Sequence, residues 1–242
     1  MMKIFLKQSS RLILVGLILA LGLGVGALFM RQRNQKQAIP ANELEYGLVW
    51  FGENGRSQKA VSGQPNDYFN PTQPTIIFVH GWLPDQVATP PNFVFDSPNP
   101  DGENASPPLD LAANWIEAGW NVGIFYWHPF ADEGLVWVAE DKIWTPHTEA
   151  GMRARDASGN YHSEGTPTIS ASELFYEAYL EAMAGYAGSE IRLAGHSLGN
   201  QMAVRLAVQL VDGLEAGEVP ENLLPTRVAL WIHFGRRCPN RT

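Results

Sequence analysis

The chain has 242 residues, of which 45% are hydrophobic and 17% are charged, so most of it is expected to fold around a core rather than to remain disordered. Its charge is uneven, because residues 1–36 carry six basic residues and no acid, whereas residues 37–235 carry 8 Lys and Arg against 25 Asp and Glu. This acidic body argues against nucleic-acid binding, and the single cysteine, Cys238, excludes a disulfide within the chain.

The first predicted element is an apolar segment, Leu12–Met30, that contains 19 residues and no charge. As a helix it would be about 28 Å long, which is close to the hydrocarbon thickness of a bilayer. We therefore expect residues 1–36 to be a membrane-spanning signal anchor, with a cleaved signal peptide as the alternative. Residues 37–45 are polar and are expected to form a tether. Either alternative predicts a body that is membrane-anchored or secreted and lies outside the cytoplasm.

Residues 46–242 are predicted to form one domain that begins with strands. Tyr46–Phe51 is a short β-prone run that ends in a turn. Ile76–Val79 is a continuous apolar run, typical of a strand buried on both faces of a parallel sheet, and it stops at His80-Gly81-Trp82. We expect His80 to brace the loop that follows, and the alternative is that His80 acts as a general base.

The next predicted elements are a loop, a helix and a strand. Leu83–Pro108 is rich in Pro, Asn and Asp, and a loop of this length usually binds or covers a ligand. Leu109–Ala118 has helical spacing and ends at a glycine. Asn121–Trp127 predicts the following strand, since its apolar residues lie in a short continuous stretch.

The region 128–170 has no clear periodicity and is expected to fold over a site. A metal site made of His128, Asp132 and His147 is a weaker alternative, because their spacing matches no tight ligand cluster. Ser172–Ala187 then predicts an amphipathic helix with Ser172 as its N-cap.

The most informative stretch is Gly195-His196-Ser197-Leu198-Gly199, a G-x-S-x-G pentapeptide. An apolar run precedes it and apolar residues at helical spacing follow it, so Ser197 is expected at a sharp strand-to-helix turn. Gly195 and Gly199 would lack the Cβ atoms that collide where the strand and helix cross. Backbone N–H groups at the helix start would lie beside the hydroxyl and could hold an oxyanion. The alternative is a glycine-rich turn with an incidental serine.

Arg227–Ile232 predicts one more buried strand, and the only histidine after the serine, His233, follows it. The strands and helices alternate along the chain, which predicts an α/β fold with a mainly parallel sheet flanked by helices. Beyond residue 235 the acidic character gives way to a short basic stretch. This change leads us to expect that the domain is C-terminally incomplete, and the alternative is that His233 serves as a base with Asp212 or Glu215 as its acid.

With His80-Gly81-Trp82 and Gly195-His196-Ser197-Leu198-Gly199 in this order, the chain resembles the α/β-hydrolase superfamily, and within it the lipases and esterases. The resemblance covers roughly residues 46–232 and implies an α/β-hydrolase-like fold. It also implies that Ser197 is the nucleophile, that the amides of Leu198 and Trp82 form an oxyanion hole, and that no metal or cofactor takes part. The implied substrate is a small-molecule or lipid ester. Family members carry an acid and a histidine after the serine, and here the only such histidine is His233.

These observations lead us to expect an exported or membrane-held serine ester hydrolase. The alternatives are a non-catalytic hydrolase-like module that binds a partner, and an inactive truncated product. Large aromatic side chains are expected near the mouth of the site, where they would suit an apolar acyl group: Trp82, Phe93, Phe95, Trp127, Trp137 and Trp144.

Overall fold

The computed structural model describes residues 45–85, 94–95, 109–156 and 158–231. The strands within these residues are β1 Gly47–Phe51, β2 Ser57–Lys59, β3 Thr75–Val79, β4 Val94–Phe95, β5 Leu109–Asp110, β6 Asn121–Tyr126, β7 Ala154–Arg155, β8 Tyr161–His162, β9 Ile191–His196 and β10 Arg227–Trp231. The α-helices are α1 Leu111–Glu117, α2 His128–Ala131, α3 Val136–Trp144, α4 Ala171–Ala182 and α5 Gly199–Glu215. Two short 3-10 helices cover Glu53–Gly55 and Glu221–Leu223.

Six strands form one sheet in the order β10-β9-β3-β6-β1-β2. The four strands β10, β9, β3 and β6 run parallel to one another, whereas β1 pairs antiparallel with both β6 and β2. The pairs β4–β5 and β7–β8 form two separate antiparallel ribbons. A mixed, mostly parallel sheet with flanking helices is an α/β fold, so the predicted fold class is confirmed at this level.

Helices cover both faces of the sheet, and the residues of β3 alternate between two cores. Ile76 packs with Val122 and Ile124 of β6 beneath α1. Ile77 and Val79 lie in the larger core, which α4 and α5 cover. Burial on both sides explains why β3 is a continuous apolar run rather than an alternating one.

Two predicted helices differ from the observed ones at their ends. The region predicted as the helix Leu109–Ala118 begins with strand β5, and helix α1 follows directly at Leu111. Asp110 is the N-cap of α1, because its side chain accepts the N–H groups of Ala112 and Ala113. Helix α4 ends at Ala182, and its N-cap is Ser170 rather than Ser172. Ser170 and Glu173 form a capping box, while Ser172 is buried inside the first turn.

The region 128–170 folds as α2, α3 and the β7–β8 hairpin. Trp127, predicted as the last residue of a strand, lies just beyond β6 and precedes α2. Most of the predicted loop Leu83–Pro108 and the predicted membrane segment Leu12–Met30 fall outside the described residues. None of the helices in the part that the structure describes is long and apolar enough to span a bilayer.

Candidate active site

The site forms where the carboxyl ends of β3 and β9 lie side by side. Val79 of β3 pairs with Gly195 of β9, and Trp231 of β10 pairs with His196. β3 lies between β9 and β6. The next sheet strand in the chain, β6, lies on one side of β3, and the later strand β9 lies on the other side. In α/β sheets this switch of direction opens a crevice at the carboxyl edge, where ligands bind. The structure therefore brings the loop after β3 and the turn after β9 to the same place.

Ser197 lies at the turn between β9 and α5 in a left-handed backbone conformation, with φ at 56°. Only Asn54 and Asp85 share a positive φ among the described non-glycine residues. Such a conformation costs about 1–3 kcal/mol for a residue that carries a Cβ, so neighbouring contacts must maintain it. The Ser197 side chain is exposed, and its hydroxyl has no hydrogen-bond partner among the residues described.

The end of β10 holds this turn in place. The Ser197 N–H donates to the carbonyl oxygen of Trp231 over 3.0 Å. The Asn200 side chain then binds the backbone of Trp231 at both ends, because its Nδ2 donates to the carbonyl oxygen at 2.9 Å and its Oδ1 accepts the N–H at 3.0 Å. The first turn of α5 is thus fixed to the neighbouring strand.

Three glycines allow the backbone segments around Ser197 to approach closely. A Cβ at Gly195 would lie 2.7 Å from Cα of Asn200, and a Cβ at Gly199 would lie 2.8 Å from the carbonyl oxygen of His80. A Cβ at Gly81 would lie 2.7 Å from Cβ of Ser197. These distances are shorter than atoms tolerate, and most of the atoms involved belong to the backbone, so glycine is required at each position.

The amides of Leu198 and Trp82 lie on the two segments that meet here. The glycine contact distances place Gly81 against the Leu198 nitrogen, since a Cβ on Gly81 would be 3.0 Å from it. Trp82 follows Gly81 directly, and neither the Leu198 N–H nor the Trp82 N–H has an acceptor within the described part of the chain. Two backbone donors without an acceptor in the described region therefore lie next to Ser197 and Gly81, the two residues that are in contact here.

His80 is fully engaged with the backbone. Its Nδ1 lies 2.9 Å from the carbonyl oxygen of Gly81, and its Nε2 accepts the N–H of Trp127 at 3.2 Å, which makes Nδ1 the protonated nitrogen. The indole of Trp127 donates to the carbonyl oxygen of His80 at 2.8 Å. Burial lowers the pKa of His80 to about 3, so the ring is neutral and braces the loop.

Two more imidazoles lie near this edge of the sheet. His128 is buried at the start of α2, where burial lowers its pKa to about 4, and its Nδ1 has no hydrogen-bond partner in the described region. His196 is exposed beside Ser197. Among the described residues, the histidine that is hydrogen-bonded to a carboxylate is His162, whose Nε2 is 2.6 Å from Oδ2 of Asp156 in the β7–β8 hairpin. The predicted base, His233, lies outside the described residues.

Helix α3 lies beside the first turn of α5. The indole of Trp144 donates to Gln201 at 2.9 Å, and Gln201 donates to Glu140 at 2.6 Å. Trp137 and Trp144 are exposed, as a mouth position requires, but Trp127 is fully buried and belongs to the core. Trp127 is therefore a correction to the predicted set, and its two bonds to His80 explain its burial.

The metal alternative finds no support in the part of the chain that the structure describes. No group of three His, Cys, Asp or Glu side chains there is placed to hold an ion, and this includes His128, Asp132 and His147.

Sequence reasoning missed two residues that shape the site. Asn200 fixes the first turn of α5, and Glu133 accepts the indole N–H of Trp82 through its carbonyl oxygen at 2.6 Å. A polar residue directly after the pentapeptide was a readable signal for Asn200. No sequence signal identified Glu133, because the acceptor is its backbone carbonyl oxygen, which every residue type has.

No protein-family model matches the chain, and no curated protein sequence matches it either. Among solved structures, it is similar to an inhibited esterase B from Lactobacillus rhamnosis, at 14% sequence identity and a TM-score of 0.30. The match covers 89% of this chain and 57% of that one, so the chain spans little more than half the length of the esterase.

Proposed function

We propose that the chain is a serine ester hydrolase with an α/β-hydrolase-like fold, and that Ser197 is its nucleophile. The observation that carries the proposal is the left-handed backbone at Ser197, between a parallel strand and a helix, with Gly81 packed against it. A strained turn of this kind presents a hydroxyl to solvent above the sheet, which is the arrangement that G-x-S-x-G hydrolases use.

In the proposed reaction, the Ser197 oxygen attacks the carbonyl carbon of an ester. The N–H groups of Leu198 and Trp82 stabilise the negative charge that develops on the carbonyl oxygen. The alcohol then leaves with a proton, and an acyl-enzyme remains. Water hydrolyses this intermediate to the carboxylic acid and restores the serine.

The proposed base is His233. The chain reaches this position two residues after Trp231, whose carbonyl oxygen accepts the Ser197 N–H at 3.0 Å. His233 is proposed because it is the only histidine that follows Ser197 in the sequence. Without a base the serine is a weak nucleophile, and loss of a triad member lowers turnover by up to about 10⁶-fold in other serine hydrolases.

A fluorophosphonate probe, which reacts with activated serines, tests the proposal. We expect the full-length chain to be labelled, Ser197→Ala to abolish labelling, and Ser163→Ala to leave it intact, because Ser163 is an exposed serine near the β7–β8 hairpin. Hydrolysis of nitrophenyl esters of increasing acyl length then reports the substrate class. A folded wild-type chain that neither reacts with the probe nor hydrolyses any ester contradicts the proposal.

The second candidate function is a non-catalytic module that binds an ester-like or lipid ligand. The observation in its favour is that the Ser197 hydroxyl has no hydrogen-bond partner in the described region. Binding of a nonhydrolysable acyl ligand by a chain that the probe does not label would favour this function over catalysis.

We further propose that Leu12–Met30 remains in the mature protein and holds the domain at a membrane, outside the cytoplasm. The proposal rests on its uncharged length of 19 residues. Fractionation in alkaline carbonate tests it, since a retained anchor stays in the membrane pellet. A soluble product whose N-terminus begins after Ala27 contradicts it.

A further inference from the structure

The loop that carries Trp82 is fastened to the segment directly after α2. The indole Nε1 of Trp82 donates to the carbonyl oxygen of Glu133 at 2.6 Å. Three residues further along the loop, the Asp85 N–H donates to Oδ1 of Asp132 at 2.8 Å. Asp85 has a φ of 59°, so the loop turns sharply at the second of these bonds. The position of Trp82 therefore depends on where Asp132 and Glu133 are held.

A buried ion network holds Glu133. Its side chain is 1% exposed and binds Lys142, which is 0% exposed, at 2.6 Å. Both carboxylate oxygens of Glu133 also accept from the guanidinium of Arg153, one of them at 2.8 Å. The remaining N–H groups of Lys142 donate to the carbonyl oxygens of Arg153 at 2.7 Å and Phe130 at 3.1 Å. Every donor of this buried ammonium group is satisfied.

A second ion pair holds Asp132 in the same way. Nη1 of Arg155 donates to Oδ1 of Asp132 at 2.7 Å and to Oδ1 of Asp85 at 2.6 Å. Arg155 thus bridges the loop and the segment after α2. The Asp132 side chain is fully buried, whereas that of Asp85 is exposed.

Stability alone does not account for this arrangement, because well-packed apolar residues usually stabilise a core as well as a buried ion pair does. Ion pairs with several directed hydrogen bonds differ from apolar packing in that they fix position. Here the fixed segment supplies the acceptor for the Trp82 indole. Burial lowers the pKa of Lys142 to about 8, which reflects the cost of placing the charge inside the protein.

We propose that Glu133, Lys142 and Arg153, together with Asp132 and Arg155, are positioning residues that set the Trp82 loop so that the Trp82 N–H faces an oxyanion on a substrate bound at Ser197. The inference rests on the proposed ester hydrolase function. None of these five residues touches the substrate in the proposed reaction. Each acts on the position of the loop through the hydrogen bonds that Trp82 and Asp85 make to Glu133 and Asp132.

The test replaces Lys142 with methionine, which keeps the length of the side chain and removes the ammonium donors. The matched control is Glu190→Gln, which breaks the partly exposed Glu190–Arg192 pair at the far end of β9. The first readout is the rate of Ser197 labelling by the fluorophosphonate. A misplacement of about 1 Å in a catalytic group costs about 10²-fold, and we expect a loss of that order in Lys142→Met and none in the control.

The second readout does not depend on activity. The indole N–H of Trp82, assigned in a nitrogen-15 NMR spectrum by its loss in Trp82→Phe, reports the 2.6 Å bond to Glu133. We expect this signal to shift and to exchange faster with solvent in Lys142→Met, and to stay unchanged in Glu190→Gln. If the wild-type chain does not react with the probe, the proposed function fails, and the indole signal alone then decides whether the network positions the loop.

Lys142→Met leaves part of the Glu133 charge uncompensated and could unfold the protein. Arg155→Met is the second variant, because Arg155 is partly exposed and its loss leaves the buried Lys142 pair intact. Thermal melting verifies that each variant is folded at the assay temperature. A folded variant of either kind with an unchanged Trp82 signal overturns the inference. When the wild-type chain is labelled, a folded variant whose labelling rate equals that of Glu190→Gln overturns it as well.

Discussion

Replacing Gly199 with alanine tests the close crossing of β3, β9 and α5 beneath Ser197. A Cβ at position 199 would lie 2.8 Å from the carbonyl carbon of Val79 and 2.8 Å from the carbonyl oxygen of His80, and closer still to the oxygen of Val79. All three atoms belong to the backbone of β3 and its loop, so no side chain can rotate away. Overpacking of this kind costs about 1–3 kcal/mol when side chains can adjust, and we expect a loss of at least about 3 kcal/mol here.

The sign of the change makes this experiment decisive. In an ordinary helix, alanine is more stable than glycine by about 1 kcal/mol, so a Gly199→Ala variant without the close crossing would be stabilised. For a domain of this size, 3 kcal/mol lowers the melting temperature by about 6–12 °C. The measurement is urea denaturation together with thermal melting.

Gly134→Ala is the matched control. A Cβ there meets no atom within 4 Å, and Gly134 has no positive φ. We expect its free energy of unfolding to change by less than about 0.5 kcal/mol. A Gly199→Ala variant as stable as Gly134→Ala would refute the close crossing and, with it, the strained turn at Ser197.

Three further outcomes are expected. Ser197→Gly should be more stable than Ser197→Ala by about 1 kcal/mol in urea denaturation, because only glycine adopts a φ of 56° without strain, and equal stabilities would count against that strain. His80 is neutral in the folded state with a pKa of about 3, so stability should be full above pH 6.5 and should fall by up to about 1.4 kcal/mol per pH unit between pH 6.5 and pH 3. His80→Gln should remove the His80 part of that slope and leave the part that His128, with its pKa of about 4, contributes, and an unchanged slope would contradict the assignment. His233→Ala should lower Ser197 labelling by at least about 10²-fold if His233 is the base, and an unchanged rate would exclude that role.

Patterns that depend on neighbouring residues alone allowed correct predictions from the sequence. The apolar run Ile76–Val79 predicted a strand buried on both faces, and β3 lies between two cores. Ser170 and Glu173 have the spacing of a capping box, which is visible in the sequence, so the predicted cap at Ser172 was wrong by two residues. The order β10-β9-β3-β6-β1-β2 was beyond such reasoning, because strand order depends on pairings between distant segments.

Lys142 is the clearest case that the sequence could not reveal. A lysine within an apolar helix pattern normally predicts an exposed position, yet Lys142 is fully buried between Glu133 and the backbone of Arg153. Three acceptors make that burial possible, two of them in and directly after α2 and the third at Arg153, and only the folded chain brings them together. The excursion 128–170 had no readable period because its helices are short and its hairpin strands have two residues each, too few to repeat an apolar spacing.

The strain at Ser197 persists because contacts from different segments hold that turn. The carbonyl oxygen of Trp231 accepts the Ser197 N–H, and the side chain of Asn200 holds both polar groups of Trp231. Gly81 lies against the Cβ of Ser197 from the other side, on a loop that His80 braces. A relaxed serine would have to break these contacts together, and each hydrogen bond contributes about 0.5–1.5 kcal/mol. Together the three bonds contribute about 1.5–4.5 kcal/mol, which is enough to offset a strain of about 1–3 kcal/mol and to keep Ser197 in the left-handed conformation with its side chain exposed.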